Sequence, residues 1–475
     1  MENASVLFKR IMLGLLLALF VLTLALVLRE GLQSPSYLLA LAAGLVWALA
    51  AFLLLRKKPL RLRLPKKRAA LLVTLFCFVL NLLWVLVIRI EPFSDYEQYW
   101  QVALALAAGT EIPTAWYIAM YPHILGTASF LSVFVRLFGA SVFAVTVVNV
   151  LLSCLSCLLV YALTDELADS DAAFLAALLW AVCPCKLMLN SLVFSEPLYT
   201  CLILLFLTVF LRVDRRFSAG CGLPAALGLG ALLGLLLLLI NIVRPIALIL
   251  VIALVLWLLF LRGGFRDWKP WLCCLASLLL VYSLGGRLWD RQVEDRLGME
   301  PASIPYYNIY VGFNEATQGQ WSAEDMDLLF SYLSEEGVST SEAQQRMIPH
   351  LKERLASVTD YPRLFASKLI AFLGNDELGG YTYRFTREPL FVKLCMGICN
   401  VFYYGVFLAA LRALWLCFRS RTLSAGLVLP LFFLGLTLAH MLVEVANRYH
   451  YSLIPSLIIF AAAGLTRPGK ERSTP

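Results

Sequence analysis

Twelve apolar runs recur along this chain, and they leave it few ways to fold. They lie at 11–28, 37–55, 70–90, 141–163, 172–190, 197–213, 222–240, 245–261, 270–286, 390–411, 423–443 and 451–465. A helix rises about 1.5 Å per residue, so ~20 apolar residues reach across the ~30 Å of bilayer hydrocarbon. Inside hydrocarbon each backbone N–H and C=O must be paired within its own segment, and for continuous apolar runs that means helices. A soluble chain of 475 residues could not cover the surface of a composition that is 61% hydrophobic and 15% charged. The expectation is an all-α polytopic protein of the cell membrane, multi-pass, with about twelve transmembrane helices among membrane lipids.

The formal net charge is +8, but the basic residues fall in short runs between apolar segments. That pattern sets membrane orientation and gives no reason to expect a nucleic-acid partner. RKKPLRLRLPKKR (56–68), LRVDRRF (211–217) and RGGFRDWK (262–269) should share the cytoplasmic side. Between the first two loops lie four of the twelve runs, an even number of crossings. A further apolar stretch, YPHILGTASFLSVFVRLFG (121–139), would break that parity as a span, so it is expected to be a surface or re-entrant helix on the outer side. The loop TDELADSD (164–171) then falls on the cytoplasmic side although it is acidic. Acidic residues weigh little in orientation, so the assignment stands.

Both termini are then inside, and no cleavable signal peptide is evident: Lys9 and Arg10 precede a run to Leu28 with no A-x-A-like site after it. Two outer segments emerge, 91–140 and 287–389. The chain divides into 1–69 (two N-terminal spans and a basic loop), 70–286 (a transmembrane core), 287–389 (an extracytoplasmic, mostly helical segment) and 390–475 (C-terminal spans and a short cytoplasmic tail). Ser322 with Asp325 reads as a helix start and Gly337 as a helix stop. All 12 cysteines lie in apolar segments and read as small hydrophobes, Cys154, Cys157, Cys183 and Cys185 included.

The stretch EPFSDYEQYW (91–100) stands directly after the third run. On the plain reading Ser94 and Glu97 form a capping box, Asp95 is a favourable first-turn charge, and Tyr96, Tyr99 and Trp100 form an interfacial belt. Other outer-end residues tip the balance towards chemistry. Glu196 lies in NSLVFSEPLYT (190–200), Arg244 at a tight turn in NIVRPIAL (241–248), and His440, Glu444 and Arg448 follow one another at i, i+4, i+8 in HMLVEVANRYHYSLIP (440–455). That last spacing predicts one helical face. Ionisable residues beside spans are costly and mark functional sites by default. Lys186 is expected to snorkel outward. Glu444 and Arg448 also have the option of pairing with each other.

An acid–aromatic motif in the first large outer loop, a YP-headed surface helix, an SEPLY turn, an RP turn and a late E-x-x-x-RY segment before a proline succeed one another in order. Together they resemble the GT-C superfamily of integral-membrane glycosyltransferases over roughly 70–465, and within it the family 39 branch of protein O-mannosyltransferases and aminoarabinose transferases. YYNIYVGFNEATQGQWSAED (306–325) is similar to the outer region of bacterial members. Two extra spans precede the catalytic loop, and the family's second acidic motif is matched by Glu196 without an adjacent Asp.

The resemblance implies a GT-C-like fold and transfer of a sugar, with inversion, from a polyprenyl-phosphate donor to a hydroxyl of a protein, lipid or wall-polymer acceptor on the outer face. Nucleotide sugars are absent outside the cytoplasm, which agrees with a lipid-borne donor. In that role Asp95 is the base, Arg448 and then Arg244 bind the donor phosphate, and Glu97, Tyr96, Tyr99, Tyr121, His123, Glu196, Tyr449 and Glu444 contact substrate. No cofactor is implied; His440 and Glu444 alone make a poor metal site. Two other classes remain open from the sequence: a transporter or flippase for lipid-linked sugars, and a polysaccharide polymerase or ligase.

Overall fold

The computed structural model describes residues 2–262, 268–302 and 305–466, and every regular element among them is helical. Two long helices come first, α1 (Glu2–Gly31) and α2 (Pro35–Lys57), followed by α3 (Lys66–Val87). Three shorter helices fill the loop after α3: α4 (Asp95–Ala108), α5 (Ala115–Met120) and α6 (His123–Phe138). The chain re-enters the bundle with α7 (Val142–Leu167), the broken pair α8 (Ser170–Ala181) and α9 (Pro184–Asn190), α10 (Glu196–Ser218), α11 (Leu223–Val243), α12 (Ala247–Leu256) and α13 (Trp268–Leu297). Four amphipathic helices follow, α14 (Tyr306–Gly312), α15 (Ala323–Leu333), α16 (Thr340–Ser357) and α17 (Tyr361–Leu369), before α18 (Pro389–Arg419), α19 (Val428–Leu442) and α20 (Ile454–Leu465) close the bundle.

Each of the twelve expected runs carries a helix, but among the described residues only nine helices are long and apolar enough to cross a bilayer, or ten with α8 and α9 as one span. The remainder fall short for visible reasons. Pro184 cannot donate to the helix ladder and clashes with the turn before it, so α8 and α9 meet at 48°. Ala247–Leu261 is a short apolar helix whose last turn, Trp257–Leu261, widens to π geometry, and α20 has 12 residues. At 16 residues α6 reaches only about 24 Å, which suits the surface or re-entrant helix expected at 121–139.

The charged loops gather at one end of the bundle. Lys66 Nζ meets Asp165 Oδ2 at 2.7 Å, Arg215 Nη1 meets Glu166 Oε2 at 3.6 Å, and Arg262 Nε meets Asp214 Oδ1 at 3.4 Å. The acidic loop 164–171 therefore sits among the basic loops, neutralising them, and its sign no longer conflicts with its placement. Lys9 joins that end; it is buried, and its Nζ donates to the carbonyls of Ser420 and Thr422 at 3.0 and 2.8 Å. The 23-residue helix α10 then carries the chain about 28 Å from Arg215 to Glu196 at the opposite end, where α4, α5 and α6 lie.

Close helix approach needs glycine at a few positions. Gly230 and Gly234 face α13, where an added Cβ would stand 2.2 Å from the Cys274 carbonyl oxygen and 2.5 Å from that of Leu278. This is small-xxx-small packing. Gly126 seats α6 against the end of α11 in the same way, a Cβ there falling 2.1 Å from the Ile242 carbonyl oxygen.

In the outer segment the cap at Ser322 is present, its Oγ accepting from the Asp325 backbone N–H at 3.3 Å. The helix it starts ends at Leu333, so Gly337 (φ +81°) serves the turn before α16 instead of stopping the helix itself. Met120, Tyr307, Val311, Leu329, Ala343 and Met347 share a small core that fastens α14–α16 to α5. The span helix α13 also continues to Leu297, beyond the expected end at 286.

Candidate active site

Pro92 and an extended backbone from Ile88 separate α3 from α4, and Ser94 turns the corner at φ +50°. A left-handed serine costs about 1 kcal/mol or more and persists only where its surroundings hold it. The expected capping box does not form: the Ser94 side chain caps nothing, and Glu97 Oε1 instead accepts from Gln101 Nε2 at 2.6 Å. The belt reading fails as well. Tyr96, Tyr99 and Trp100 are buried, with the Tyr96 ring packed against Phe93, Phe194 and Tyr381.

Asp95, freed from capping duty, points into the site. Arg448 Nη2 donates to its Oδ2 at 2.7 Å, and the Tyr117 hydroxyl lies 3.4 Å from its Oδ1. The side chain is still 40% exposed, so a substrate hydroxyl can reach it, while that of Arg448 is 22% exposed. Arg448 Nη1 also lies 3.4 Å from the Tyr96 hydroxyl oxygen, and its Nε is buried without a partner.

Arg448 does not reach this place on a continuous helix, as the i, i+4, i+8 spacing predicts. α19 ends at Leu442; the Glu444 N–H donates to the Asn308 carbonyl at 2.8 Å and the Val445 N–H to that of Gly319 at 2.9 Å. These outer-segment carbonyls hold 443–446 in an extended, irregular stretch, and a 3₁₀ turn, Asn447–Leu453, follows. Buried Lys368 locks this extended stretch by donating to the carbonyls of Gly312 (2.7 Å) and Val443 (2.9 Å). His440, Glu444 and Arg448 still converge, but through a break rather than a shared face. His440 stacks on Tyr449, with ring centroids 5.2 Å apart.

Tyr449 is the hinge of the cationic part. The Arg244 guanidinium carbon lies 4.8 Å from its ring centroid and that of Arg448 lies 5.5 Å from it, so one ring is shared by two cations from separate elements. Its hydroxyl donates to Glu444 Oε1 at 3.2 Å. Burial pushes the Glu444 carboxyl above its usual range, and Arg448 opposes that shift. Arg244 occupies the α11–α12 turn, with extended backbone angles, and makes no ion pair among the described residues. Glu196, fully buried at the start of α10, accepts from Ser195 Oγ at 2.9 Å through Oε2, while Oε1 has no partner. Tyr121 and His123 flank the site, the Tyr121 ring 4.9 Å from that of Tyr117, and burial beside Arg244 and Arg448 holds His123 well below its usual pKa.

Lys186 corrects another expectation. It is buried and does not snorkel: Nζ donates to Asn81 Oδ1 at 2.8 Å and the Ala181 carbonyl at 3.1 Å. Among the described residues no group of three or more His, Cys, Asp or Glu side chains is placed to hold a metal ion.

Four contributors were not picked out from the sequence. Tyr117 stands one helical turn before Tyr121, a spacing that could have revealed it. Tyr381 and Arg384 belong to YTYRF, an aromatic–basic mixture that could have drawn notice; Arg384 lies 4.2 Å over the Phe93 ring. Lys368, a single cation in the apolar FASKLIAFL, gave the same kind of signal as Arg448.

The family model described as dolichyl-phosphate-mannose-protein mannosyltransferase matches residues 123–284, about a third of the chain, including Glu196 and Arg244 but not Asp95 or Arg448. The resemblance to GT-C membrane glycosyltransferases read from the sequence stands on that match. No curated protein matches the chain as a relative. Among solved structures, the chain is similar to a crystal structure of the Archaeoglobus fulgidus oligosaccharyltransferase tethered to an acceptor peptide containing the NVT sequon (15% identity, TM-score 0.48, covering 82% of this chain and 49% of that one). It is also similar to the oligosaccharyltransferase AglB of the same organism in complex with an inhibitory peptide and a dolichol-phosphate (14% identity, TM-score 0.42, covering 82% and 50%). The chain spans about half the length of these structures.

Proposed function

We propose that this chain, a membrane protein resembling the GT-C glycosyltransferases, transfers a sugar from a polyprenyl-phosphate donor to an acceptor hydroxyl at the outer face of the membrane, with inversion. The observation that carries the reading is the pairing of an accessible carboxylate, Asp95, with Arg448 beside a second arginine.

The step needs a base for the acceptor proton and cations for the leaving phosphate, held in line across the anomeric carbon. Asp95 takes the proton as the acceptor oxygen bonds to the anomeric carbon. The bond from that carbon to the phosphate oxygen breaks, and the polyprenyl phosphate leaves with the electron pair. Arg448 and Arg244 face the charge that develops on it. Guanidinium groups fork onto phosphate oxygens, so an arriving donor draws Arg448 from Asp95 and frees Oδ2 to accept the proton. Base activation is thereby tied to donor binding. Tyr117 holds Oδ1 throughout and fixes the carboxylate plane. On this reading Tyr96, Tyr99, Tyr121, His123, Glu97, Glu196, Glu444 and Tyr449 are the contacts for sugar and acceptor.

The test uses purified wild type and Asp95→Asn in lipid, offered a panel of radiolabelled polyprenyl-phosphate sugars with crude envelope acceptors. Label should leave the lipid with wild type and not with the variant. Label carried across the bilayer by both proteins, with no transfer, would replace the enzyme reading with a flippase.

A further inference from the structure

α1 and α2 come before the part of the chain that carries the site, and their apolar composition assigns them nothing beyond crossing the membrane. Their packing is more specific. Ala40, Gly44 and Ala48 form a buried small-residue stripe on α2, and a Cβ at Gly44 would lie 2.8 Å from Tyr404 Cβ on α18. The Trp47 indole N–H donates to the Val401 carbonyl on the same helix at 2.8 Å. α1 packs along 370–374, the π turn that follows α17. The hairpin is thus fitted closely to the segment leading into 375–384.

At the site end of α2 the contact becomes polar. The Tyr37 hydroxyl donates to Glu377 Oε1. The Glu377 backbone N–H donates to Asn447 Oδ1 at 3.1 Å, and Asn447 Nδ2 donates to the Asn375 carbonyl and Oδ1, both at 2.7 Å. Asn447 immediately precedes Arg448. The same segment continues into the 3₁₀ turn Leu378–Arg384, where Tyr381 packs on Tyr96 with centroids 5.7 Å apart. Two routes therefore run from Glu377 to the Asp95–Arg448 pair, one through Asn447 and one through Tyr381.

We propose that the α1–α2 hairpin positions Arg448, and that Tyr37 and Glu377 are positioning residues for donor-phosphate recognition. This rests on Arg448 being the phosphate ligand. The stretch 443–445 is tied to Asn308, Gly319 and Lys368, but the short 3₁₀ turn from Asn447 has few helical bonds of its own, so the side-chain anchors of Asn447 help set where the guanidinium sits. Removing one hydroxyl at the far end of the relay loosens Arg448 without touching substrate.

The test is made on the full chain in lipid, with a polyprenyl monophosphate as the binding probe and hydrogen exchange of 375–384 and 444–450 as a second readout. Tyr37→Phe should weaken probe binding about fivefold, the effect of one lost hydrogen bond, and speed exchange in both segments. Glu377→Gln keeps an oxygen for Tyr37 and should stay near wild type. Trp47→Phe weakens the same helix contact away from the relay and should leave both readouts unchanged. Wild-type binding and exchange in Tyr37→Phe would overturn the proposal, as would an equal loss in Trp47→Phe, which would make the effect one of general stability. A wild type that does not bind the probe would overturn the donor reading instead. Exchange alone would then decide the relay, upheld if Tyr37→Phe speeds 444–450 and Trp47→Phe does not.

Discussion

Asp95 and Arg448 stand 353 positions apart in the chain and 2.7 Å apart in the fold. The pair is partly exposed, so its Coulomb attraction in isolation adds little to stability. Its geometry is held from both sides: Tyr117 approaches the other carboxylate oxygen, and Tyr96 and Tyr449 flank the guanidinium. A contact so supported and so weak in itself fits the recognition role proposed for it better than a role in folding.

Arg448→Lys should therefore fold normally and recognise the donor poorly. Lysine keeps the charge and loses the fork that spans Asp95 and Tyr96. The expected result is a rise of about tenfold in KM for the lipid donor, with an unchanged melting temperature. Arg244→Lys should act in the same direction, and the two effects should not add, because both cations share the Tyr449 ring. Steady-state kinetics of the two single variants and the double variant would check this.

The site's outward face can be tested without any substrate. Glu111 is exposed in the loop after α4, and Lys58 is exposed among the basic loops at the other end. In intact cells Glu111→Cys should react with a membrane-impermeant maleimide, and Lys58→Cys only after the membrane is opened, with wild type as the control for native cysteines. The reverse pattern would turn the whole topology over.

Much of this was legible in the sequence because membrane physics leaves few options. Apolar runs located the helices, and loop charge placed Arg215 and Lys66 at one end and Asp95 and Arg244 at the other. Local geometry was not legible, for identifiable reasons. The i, i+4, i+8 pattern of His440, Glu444 and Arg448 is sound helical arithmetic, but the carbonyls of Asn308 and Gly319, over a hundred positions earlier, compete for the Glu444 and Val445 N–H groups and win. Ser94 and Glu97 have capping-box spacing, but a positive φ at Ser94 turns the hydroxyl away. Lys186 found partners in Asn81 and Ala181 that only the folded bundle brings to it. At 444–448 and at Lys186 a long-range partner overrides a local preference; at Ser94 the backbone turn itself does.

Gly126→Ala should damage the site from a distance. The added methyl would meet the Ile242 carbonyl, two residues before Arg244, and α6 would have to move off α11. Overpacking of this kind costs about 1–3 kcal/mol. A lowered melting temperature together with a raised donor KM is expected, since His123 and Arg244 shift with the two helices. Gly139→Ala, whose Cβ would have open space though its φ is +76°, should lower stability without the effect on KM.

Lys368 gives the fold a pH dependence of definite sign. Burial lowers its pKa from 10.5 to about 8, with the charge of Glu444 opposing the shift. Below about 8 both folded and unfolded chains carry the proton, and the folded state bears the full cost of a buried ammonium. Between about 8 and 10.5 the unfolded chain still binds the proton while the folded chain has released it, so this group makes stability rise with pH across that window. Above 10.5 the cost is gone. Lys368→Gln removes the titration and keeps an amide N–H for the Gly312 and Val443 carbonyls, so the variant's melting temperature should rise less with pH between 8 and 10 than that of wild type. Parallel slopes for the two proteins would mean that Lys368 stays charged in the fold, and that its hydrogen bonds, not its burial, govern its proton.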